Sequence, residues 1–176
     1  GSIGKILNVG AGPCARPEDG YVWNAGQSQG IAPTIMKNVY LIGMMGSGKT
    51  SSGRSLAKLL SVPFIDLDDQ IVDQAGESIN DIFKTKGETY FRKMESELLD
   101  RTSDLTDRVV ATGGGIVLKA ENNTRMKETG VVVYLKTSLN ALWGRVKRNK
   151  NRPLLATGAP KKTLESLFSE RAPLYE

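Results

Sequence analysis

The sequence predicts an α/β fold of three layers, in which helices cover both faces of a central parallel sheet. Short apolar runs alternate along the chain with segments of helix-like apolar spacing, which is the pattern of parallel strands joined by helices. The run Val131–Leu135 is apolar without interruption, as is typical of a strand buried on both faces of such a sheet. At 176 residues, the chain fits one domain with a core of its own.

Composition excludes several other classes of protein. An apolar content of 39% and a charged content of 24% describe an ordinary soluble globular protein. Every apolar run is shorter than the roughly 20 residues that cross a bilayer, so no membrane partner is expected. The single cysteine, Cys14, and the absence of histidine argue against a disulfide framework and a zinc site. These features predict a reducing compartment, the cytoplasm or alternatively the plastid stroma.

The net charge of +5 has two interpretations. A basic surface can bind nucleic acid, whereas an enzyme that binds nucleotide phosphates and an anionic substrate also needs basic residues around its cleft. The basic residues are scattered and several fall within motifs. We therefore favour the second interpretation and expect no nucleic-acid partner.

Residues 1–36 are predicted to be an amino-terminal extension or linker. Gly1-Ser2 is typical of the remnant of a cleaved tag, and Ile6–Val9 is predicted to form a short strand. The rest of this segment is rich in Gly, Pro, Gln and Asn, which favours loop. The folded domain is expected to span residues 37–176.

A phosphate-binding loop is the strongest motif in the chain. The apolar run Val39–Ile42 leads into Gly43-Met44-Met45-Gly46-Ser47-Gly48-Lys49-Thr50, and Ser51–Leu60 has helical spacing. Strand, G-x-x-x-x-G-K-T turn and helix in this order predict a loop whose backbone N–H groups surround phosphate oxygens. Lys49 would reach the β- and γ-phosphates of ATP, and the Thr50 hydroxyl would bind Mg²⁺. The predicted nucleotide-binding set here is Gly43, Gly46, Ser47, Gly48, Lys49, Thr50 and Ser51.

Three aspartates follow the predicted strand Val62–Asp66. The carboxyl ends of strands are where open α/β sheets bind ligands, so Asp66 and Asp68 are predicted to act at a metal or a substrate. Asp69 is expected to cap the helix that begins near Gln70.

Two short helices follow, one capped by Ser78 or Asn80 and one beginning after Gly87. Arg92 and Glu95 share a face of the second helix and are expected to pair. The pair is either an ordinary surface ion pair, or Glu95 fixes the guanidinium of Arg92 in an orientation that faces a substrate.

The second half of the chain repeats the strand–turn–helix pattern. Arg108–Thr112 is predicted to be a strand that leads into Gly113-Gly114-Gly115, where the backbone can approach a ligand closely. Helices are predicted over 119–129, from the cap Ser138 to about Lys147, and over Thr163–Glu170. The basic stretch at about 147–160 is either a lid over the site or an ordinary connection.

From about Lys37 to Glu176 the chain resembles the shikimate kinases, small P-loop kinases of aromatic amino-acid biosynthesis. The resemblance rests on motifs in the right order: Gly43–Thr50, Asp66-Leu67-Asp68, Phe91-Arg92 with Glu95, Gly113–Gly115, Arg152-Pro153-Leu154-Leu155, and Glu170-Arg171-Ala172-Pro173-Leu174-Tyr175. It implies a three-layer P-loop kinase fold with substrate-binding helices at about 67–96 and a lid at about 147–160. The implied reaction is ATP-dependent phosphorylation of the 3-hydroxyl of shikimate.

The resemblance also implies catalytic and nucleotide-binding roles. Lys49 and Mg²⁺ would neutralise the γ-phosphate, with Thr50 on the metal and Asp66 reaching it through water. Asp68 would hold the ring hydroxyls and orient the attacking one. Arg152 would close over the phosphates, and Arg145 would lie against the adenine.

The resemblance implies substrate-binding roles as well. Arg92 and Arg171 would grip the shikimate carboxylate, since a guanidinium forms two parallel hydrogen bonds with it, and Glu95 would steady Arg92. The glycines Gly113, Gly114 and Gly115 would complete the pocket, and Phe83 and Phe91 would form its apolar wall.

The chain departs from the family pattern in two respects. It ends at Glu176, whereas members usually continue with a further strand, a nucleotide-base loop and a terminal helix, and residues 1–36 have no counterpart in a minimal member. A monomer is expected, with a dimer as the alternative. The alternative functions are a P-loop kinase of another hydroxy acid, such as gluconate, and a nucleotide-dependent binding module without turnover.

Overall fold

The structure, a computed structural model, describes residues 37–147, Leu154 and residues 158–176. The predictions made for 1–36, including the strand at Ile6–Val9, lie outside the described residues, as does Arg152 with most of the predicted lid.

The described strands form one parallel sheet, as predicted. They are β1 (Asn38–Ile42), β2 (Phe64–Asp66), β3 (Val109–Ala111) and β4 (Gly130–Tyr134), in the order β2-β3-β1-β4. Asp66 pairs with Ala111, and Ala111 pairs with Leu41. In this register the carboxyl ends of β1, β2 and β3 lie side by side. The phosphate loop, the aspartates and the glycine run follow these three strands respectively, so they meet at the same end of the sheet.

Helices connect these strands, and two more follow β4. They are α1 (Lys49–Leu60), α2 (Leu67–Ala75), α3 (Ile79–Thr85), α4 (Gly87–Ser103), α5 (Ala120–Thr129), α6 (Leu139–Val146) and α7 (Pro160–Tyr175), with a 3₁₀ turn at Ile116–Leu118. None of the described helices has the length and apolar character needed to cross a bilayer.

The core lies in two clusters on opposite faces of the sheet. Leu41 packs with Ala57 of α1, whereas its neighbours Tyr40 and Ile42 pack with residues of α2, α4, α5, α6 and α7. Successive side chains of a strand point to opposite faces, so one strand supplies both clusters. The three-layer arrangement predicted from the sequence is confirmed.

Two predicted helix caps are present and one is wrong. Ser78 accepts a hydrogen bond from Asp81 N and Ser138 from Ala141 N. Helix α2, however, begins at Leu67, and its cap is Asp66, whose carboxylate accepts from Asp68 N at 3.1 Å. Asp69 instead lies in the first turn of α2. The three aspartates are chemically equivalent as caps, so only the backbone conformation, extended at Asp66, decides which one is used.

Two further expectations about the second half need correction. Strand β4 lies at an edge of the sheet among the described residues, and Val131 is 46% exposed, so its apolar run is not buried on both faces. Helix α7 continues past Glu170 to Tyr175 with Pro173 inside it. Its last turns bury Arg171 and Tyr175.

Candidate active site

The phosphate loop has the backbone conformation that its glycines predict. Gly46 and Gly48 have φ values of 80° and 98°, in the left-handed region that other residues seldom adopt. A Cβ on Gly46 would also lie only 2.7 Å from Val146. Helix α1 begins directly after Gly48 and has no acidic residue in its first turn, so its positive end remains available to an anion.

Two cations hold the carbonyl groups of this loop. The Nζ of Lys49 donates to Gly43 O at 2.7 Å and to Met44 O at 3.0 Å. From α6, Nη1 of Arg145 donates to Gly46 O and Ser47 O at 3.0 and 3.3 Å. Both side chains thus lie where a nucleotide on the loop would meet them.

The pair Thr50 and Asp66 fits a magnesium site. Thr50 Oγ1 donates to Asp66 Oδ2 at 2.7 Å, while the other carboxylate oxygen caps α2. Magnesium prefers oxygen ligands and takes only one or two from the protein when it also binds nucleotide phosphates. Among the described residues there is no group of three or more His, Cys, Asp or Glu side chains that could hold a metal.

Two cavities meet at Asp68. The phosphate cavity is bordered by Lys49, Thr50, Asp66 and Asp68. The acceptor pocket is bordered by the predicted substrate residues Asp68, Phe83, Phe91, Arg92, Gly113, Gly114, Gly115 and Arg171, together with Met45, Ile79 and Leu154. Among the residues that the structure describes, Asp68 is the only titratable side chain that borders both cavities. It therefore lies between the two cavities.

Arg92 is held by two carboxylates of its own helix. Its Nη1 donates to Glu95 Oε2 at 2.8 Å, and its Nη2 donates to Glu88 Oε1 at 2.9 Å. Burial alone would lower the pKa of Arg92, but the facing carboxylates of Glu95 and Glu88 outweigh burial and raise it. The predicted Arg92–Glu95 pair is confirmed, and with Glu95 only 1% exposed it is not a surface ion pair.

Glu95 is buried beside the glycine run. Burial raises its pKa, and Asp68 adds to the rise, while Arg92 and Arg171 oppose it. Its second oxygen, Oε1, has no hydrogen-bond partner among the described residues. A Cβ on Gly113 would lie 2.1 Å from that oxygen. The glycine is therefore needed to let the carboxylate approach the backbone.

Arg171 reaches the same pocket from α7, near the end of the chain. It is 2% exposed, and its Nη1 donates to Gly114 O at 3.3 Å. Its Nε has no hydrogen-bond partner among the described residues, and no ion pair of Arg171 occurs in that part of the chain. A buried guanidinium in this state favours an anion as its ligand, because unmatched buried charge is costly.

Phe83 and Phe91 lie together on the apolar side of the pocket. The rings of Phe83 and Phe91 lie 4.9 Å apart between centroids and are tilted by 47°, and the guanidinium of Arg92 lies 5.1 Å from the Phe91 ring centre. Met45, Ile79 and Leu154 complete the wall and were not predicted. Met45 occupies a variable position of the loop motif, so the motif does not predict that this residue lines a pocket.

These features define a class of protein. A parallel sheet with a G-x-x-x-x-G-K-T loop, beside a pocket containing two arginines and a carboxylate, belongs to a P-loop kinase with a small anionic acceptor.

Comparison with known proteins gives the family. A family model described as shikimate kinase matches residues 45–176. The chain is 44% identical over 146 residues to a shikimate kinase of Ruegeria pomeroyi, covering 83% of this chain and 75% of the relative. A shikimate kinase of Thermodesulfovibrio yellowstonii is 43% identical, with 80% of this chain and 82% of the relative covered. The chain belongs to the shikimate kinase family.

Solved structures agree with this assignment. Shikimate kinase from Acinetobacter baumannii in complex with shikimate superposes with a TM-score of 0.78 at 42% identity, covering 80% of this chain and 78% of that one. Shikimate kinase from Aquifex aeolicus gives a TM-score of 0.69 at 38% identity, with coverages of 78% and 81%.

Proposed function

We propose that this chain transfers the γ-phosphoryl group of ATP to the 3-hydroxyl of shikimate, giving shikimate 3-phosphate and ADP, with Mg²⁺. Membership of the shikimate kinase family supports this reaction, and a similar structure contains shikimate. The observation that carries it for this chain is the position of Asp68 between the phosphate cavity and a pocket that holds two arginines.

In the acceptor pocket, Arg92 and Arg171 bind the carboxylate of shikimate. Each guanidinium can form parallel hydrogen bonds with a carboxylate, and the free Nε of Arg171 adds a donor in the same place. Glu95 keeps Arg92 in position through the bond at 2.8 Å. Phe83 and Phe91 cover the apolar face of the ring, and the backbone of Gly113–Gly115 allows the ring to lie close to the chain.

Asp68 orients the attacking hydroxyl and accepts its proton. Phosphoryl transfer needs the acceptor oxygen in line with the γ-phosphate and needs little covalent chemistry from the protein. A carboxylate at the border of both cavities is in the right region for both tasks.

On the nucleotide side, Lys49 exchanges its bonds to Gly43 O and Met44 O for bonds to phosphate oxygens. Thr50 and Asp66 would hold Mg²⁺, which supplies neutralisation of phosphate charge. The same loop contributes Gly43, Gly46, Ser47, Gly48 and Ser51. Arg145 lies against the adenine.

Some parts of the proposal rest on sequence alone. Arg152 is proposed to close over the phosphates as charge develops, within a lid at about 147–160. The chain is proposed to act in the cytoplasm as a monomer, without nucleic-acid or membrane partners.

The test is a coupled assay of ADP formation with Mg²⁺ and ATP, using shikimate, gluconate and other hydroxy acids in turn. Shikimate should give the highest kcat/KM, and the product should be identified by mass. A preference for gluconate, or consumption of ATP that does not depend on any acid, would contradict the proposal. Salt-sensitive binding to DNA or RNA would instead support a binding module, which the carboxylates of Asp66 and Asp68 in the cleft disfavour.

A further inference from the structure

The last turn of α7 holds a single carbonyl group of the acceptor pocket with two donors. Tyr175 OH donates to Gly114 O at 2.5 Å, and Arg171 Nη1 donates to the same oxygen at 3.3 Å. The two residues are four apart in one helix, so their side chains share a face. Arg171 has a role in the proposed function, whereas Tyr175 has none so far.

The direction of this carbonyl determines the direction of a neighbouring N–H. A trans peptide unit is planar, so the Gly114 carbonyl and the Gly115 N–H point to opposite sides of the chain. The guanidinium of Arg92 packs against Gly115, since its atoms lie 2.4 Å from where a Cβ on that glycine would stand. Holding Gly114 O from α7 therefore restrains the peptide unit that leads into the glycine beside Arg92.

The same hydroxyl also contacts the phosphate loop. Tyr175 OH lies 3.6 Å from Met44 Sδ, and a Cβ on Gly114 would lie 3.1 Å from Met45 N. The ring of Tyr175 stacks on Tyr134 with centroids 5.0 Å apart and planes inclined by 20°. One buried side chain thus touches both the strip that lines the acceptor pocket and the loop that would bind the phosphates.

The hydroxyl is a permanent donor. Tyr175 is 5% exposed, and burial raises its pKa well above the ordinary value of 10.0. A carbonyl oxygen can only accept, so the proton of Tyr175 must lie toward Gly114.

We propose that Tyr175 is a positioning residue for phosphoryl transfer: its hydroxyl orients the Gly114–Gly115 peptide and fixes the position of the acceptor pocket relative to the phosphate loop. The inference rests on the proposed function and extends it. Small errors in the position of an acceptor are costly to turnover, so one hydrogen bond that fixes the pocket affects catalysis without touching the reacting atoms.

The test compares Tyr175→Phe with the matched control Tyr134→Phe. Each variant removes one hydroxyl from the same stacked pair and preserves the ring. Among the described residues, the Tyr134 hydroxyl makes no hydrogen bond of its own. Tyr175→Phe should lower kcat/KM for shikimate about threefold to tenfold, the effect of one hydrogen bond, while KM for ATP stays unchanged. Tyr134→Phe should retain the wild-type values.

A double variant tests the route through Gly114. If Tyr175 acts by holding Gly114 O, its effect should be non-additive with that of Arg171→Lys, since both residues donate to that oxygen. Strictly additive effects would contradict the proposal, as would equal losses in Tyr175→Phe and Tyr134→Phe or equal rises in KM for both substrates. Loss of folding in Tyr175→Phe alone, monitored by thermal unfolding, would show a structural role and overturn it too. Wild-type protein inactive on shikimate would instead refute the proposed function.

Discussion

The phosphate cavity and the acceptor pocket lie side by side, yet their polar groups are satisfied in different ways. In the phosphate cavity, Lys49 and Thr50 already donate to oxygens of the protein. In the acceptor pocket, Arg171 Nε is buried without a hydrogen-bond partner in the described part of the chain, and so is Glu95 Oε1 behind the lining residue Gly113. A nucleotide must replace the bonds of Lys49 and Thr50, whereas the carboxylate of an acidic acceptor supplies the bond that Arg171 lacks.

This difference separates two kinds of preorganisation. The phosphate loop lies within one short segment, where the backbone geometry of its glycines and the hydrogen bonds of Lys49 and Arg145 shape it. The acceptor pocket is assembled from α2, α3, α4, α7 and the glycine run, and its two arginines are held by hydrogen bonds to Glu88, Glu95 and the Gly114 carbonyl. Preorganised groups lower the cost of binding, so changes in the two regions should alter different kinetic constants.

The largest effect is expected where the two regions meet. Asp68→Asn keeps the size of the side chain but removes the base, so kcat should fall at least about 100-fold, the usual scale for a positioned acid–base group. Binding of ATP, measured by calorimetry, should be retained. Asp69→Asn is the control, because Asp69 is exposed and lies 3.6 Å from Arg54. Equal activities of the two variants would remove Asp68 from the mechanism.

A change in the acceptor pocket alone should come next. Arg171→Lys preserves the charge but loses the paired hydrogen bonds, so KM for shikimate should rise about tenfold to 100-fold, the effect of charge-assisted bonds. KM for ATP should stay constant. Arg92→Lys should raise the same KM less, because Arg92 already spends donors on Glu88 and Glu95. The reverse order would break the distinction between the two arginines.

A change in the phosphate cavity should give the opposite kinetic pattern. Thr50→Val removes the hydroxyl that would bind the metal, so the Mg²⁺ concentration for half-maximal activity should rise about tenfold, on the scale of one strong polar contact. Thr50→Ser retains the hydroxyl and should behave like the wild type. If KM for shikimate moved instead, the two regions could not be treated as separate.

The smallest effect concerns stability and pH. Burial raises the pKa of Glu95 above its ordinary value of 4.5, so the folded state binds the proton more tightly than the unfolded state does. The contribution of Glu95 to stability is complete below pH 4.5 and is lost as pH rises through the folded-state pKa. The Glu95→Gln side chain cannot titrate. As the pH rises over this range, the free energy of unfolding of this variant should therefore increase relative to that of the wild type.

The gain should be on the order of 1 kcal/mol, the scale of a single hydrogen bond, and denaturant unfolding at several pH values measures it. Glu97→Gln, on the exposed side of the same helix, should show no such trend. A difference that stays constant with pH would contradict the raised pKa of Glu95.

The sequence predicts best what depends on local spacing. The phosphate loop and the Arg92–Glu95 pair are defined by fixed intervals within one segment, and both are present as expected. The approach of Arg171 to Arg92 joins distant parts of the chain, so spacing gives no access to it and only the family resemblance suggested it.

Features set by tertiary contacts were harder to predict. The apolar run of β4 says nothing about strand order, so its position at an edge of the described sheet was missed. Helix α7 was predicted to end at Glu170, but it continues through Pro173 to Tyr175. Proline costs a helix a hydrogen bond and a local clash, which the packing of the buried Arg171 and Tyr175 outweighs. The Asp66 cap was missed because neighbouring aspartates compete on equal terms.

The contacts of Lys49 have a further consequence for the loop without nucleotide. Its ammonium group binds the Gly43 and Met44 carbonyls at once and so holds these two groups close together. Replacing Lys49 would therefore alter the resting shape of the loop as well as its charge. A lower affinity of such a variant for a nucleotide would then have two causes: the lost attraction between Lys49 and the phosphates, and the changed conformation of the loop.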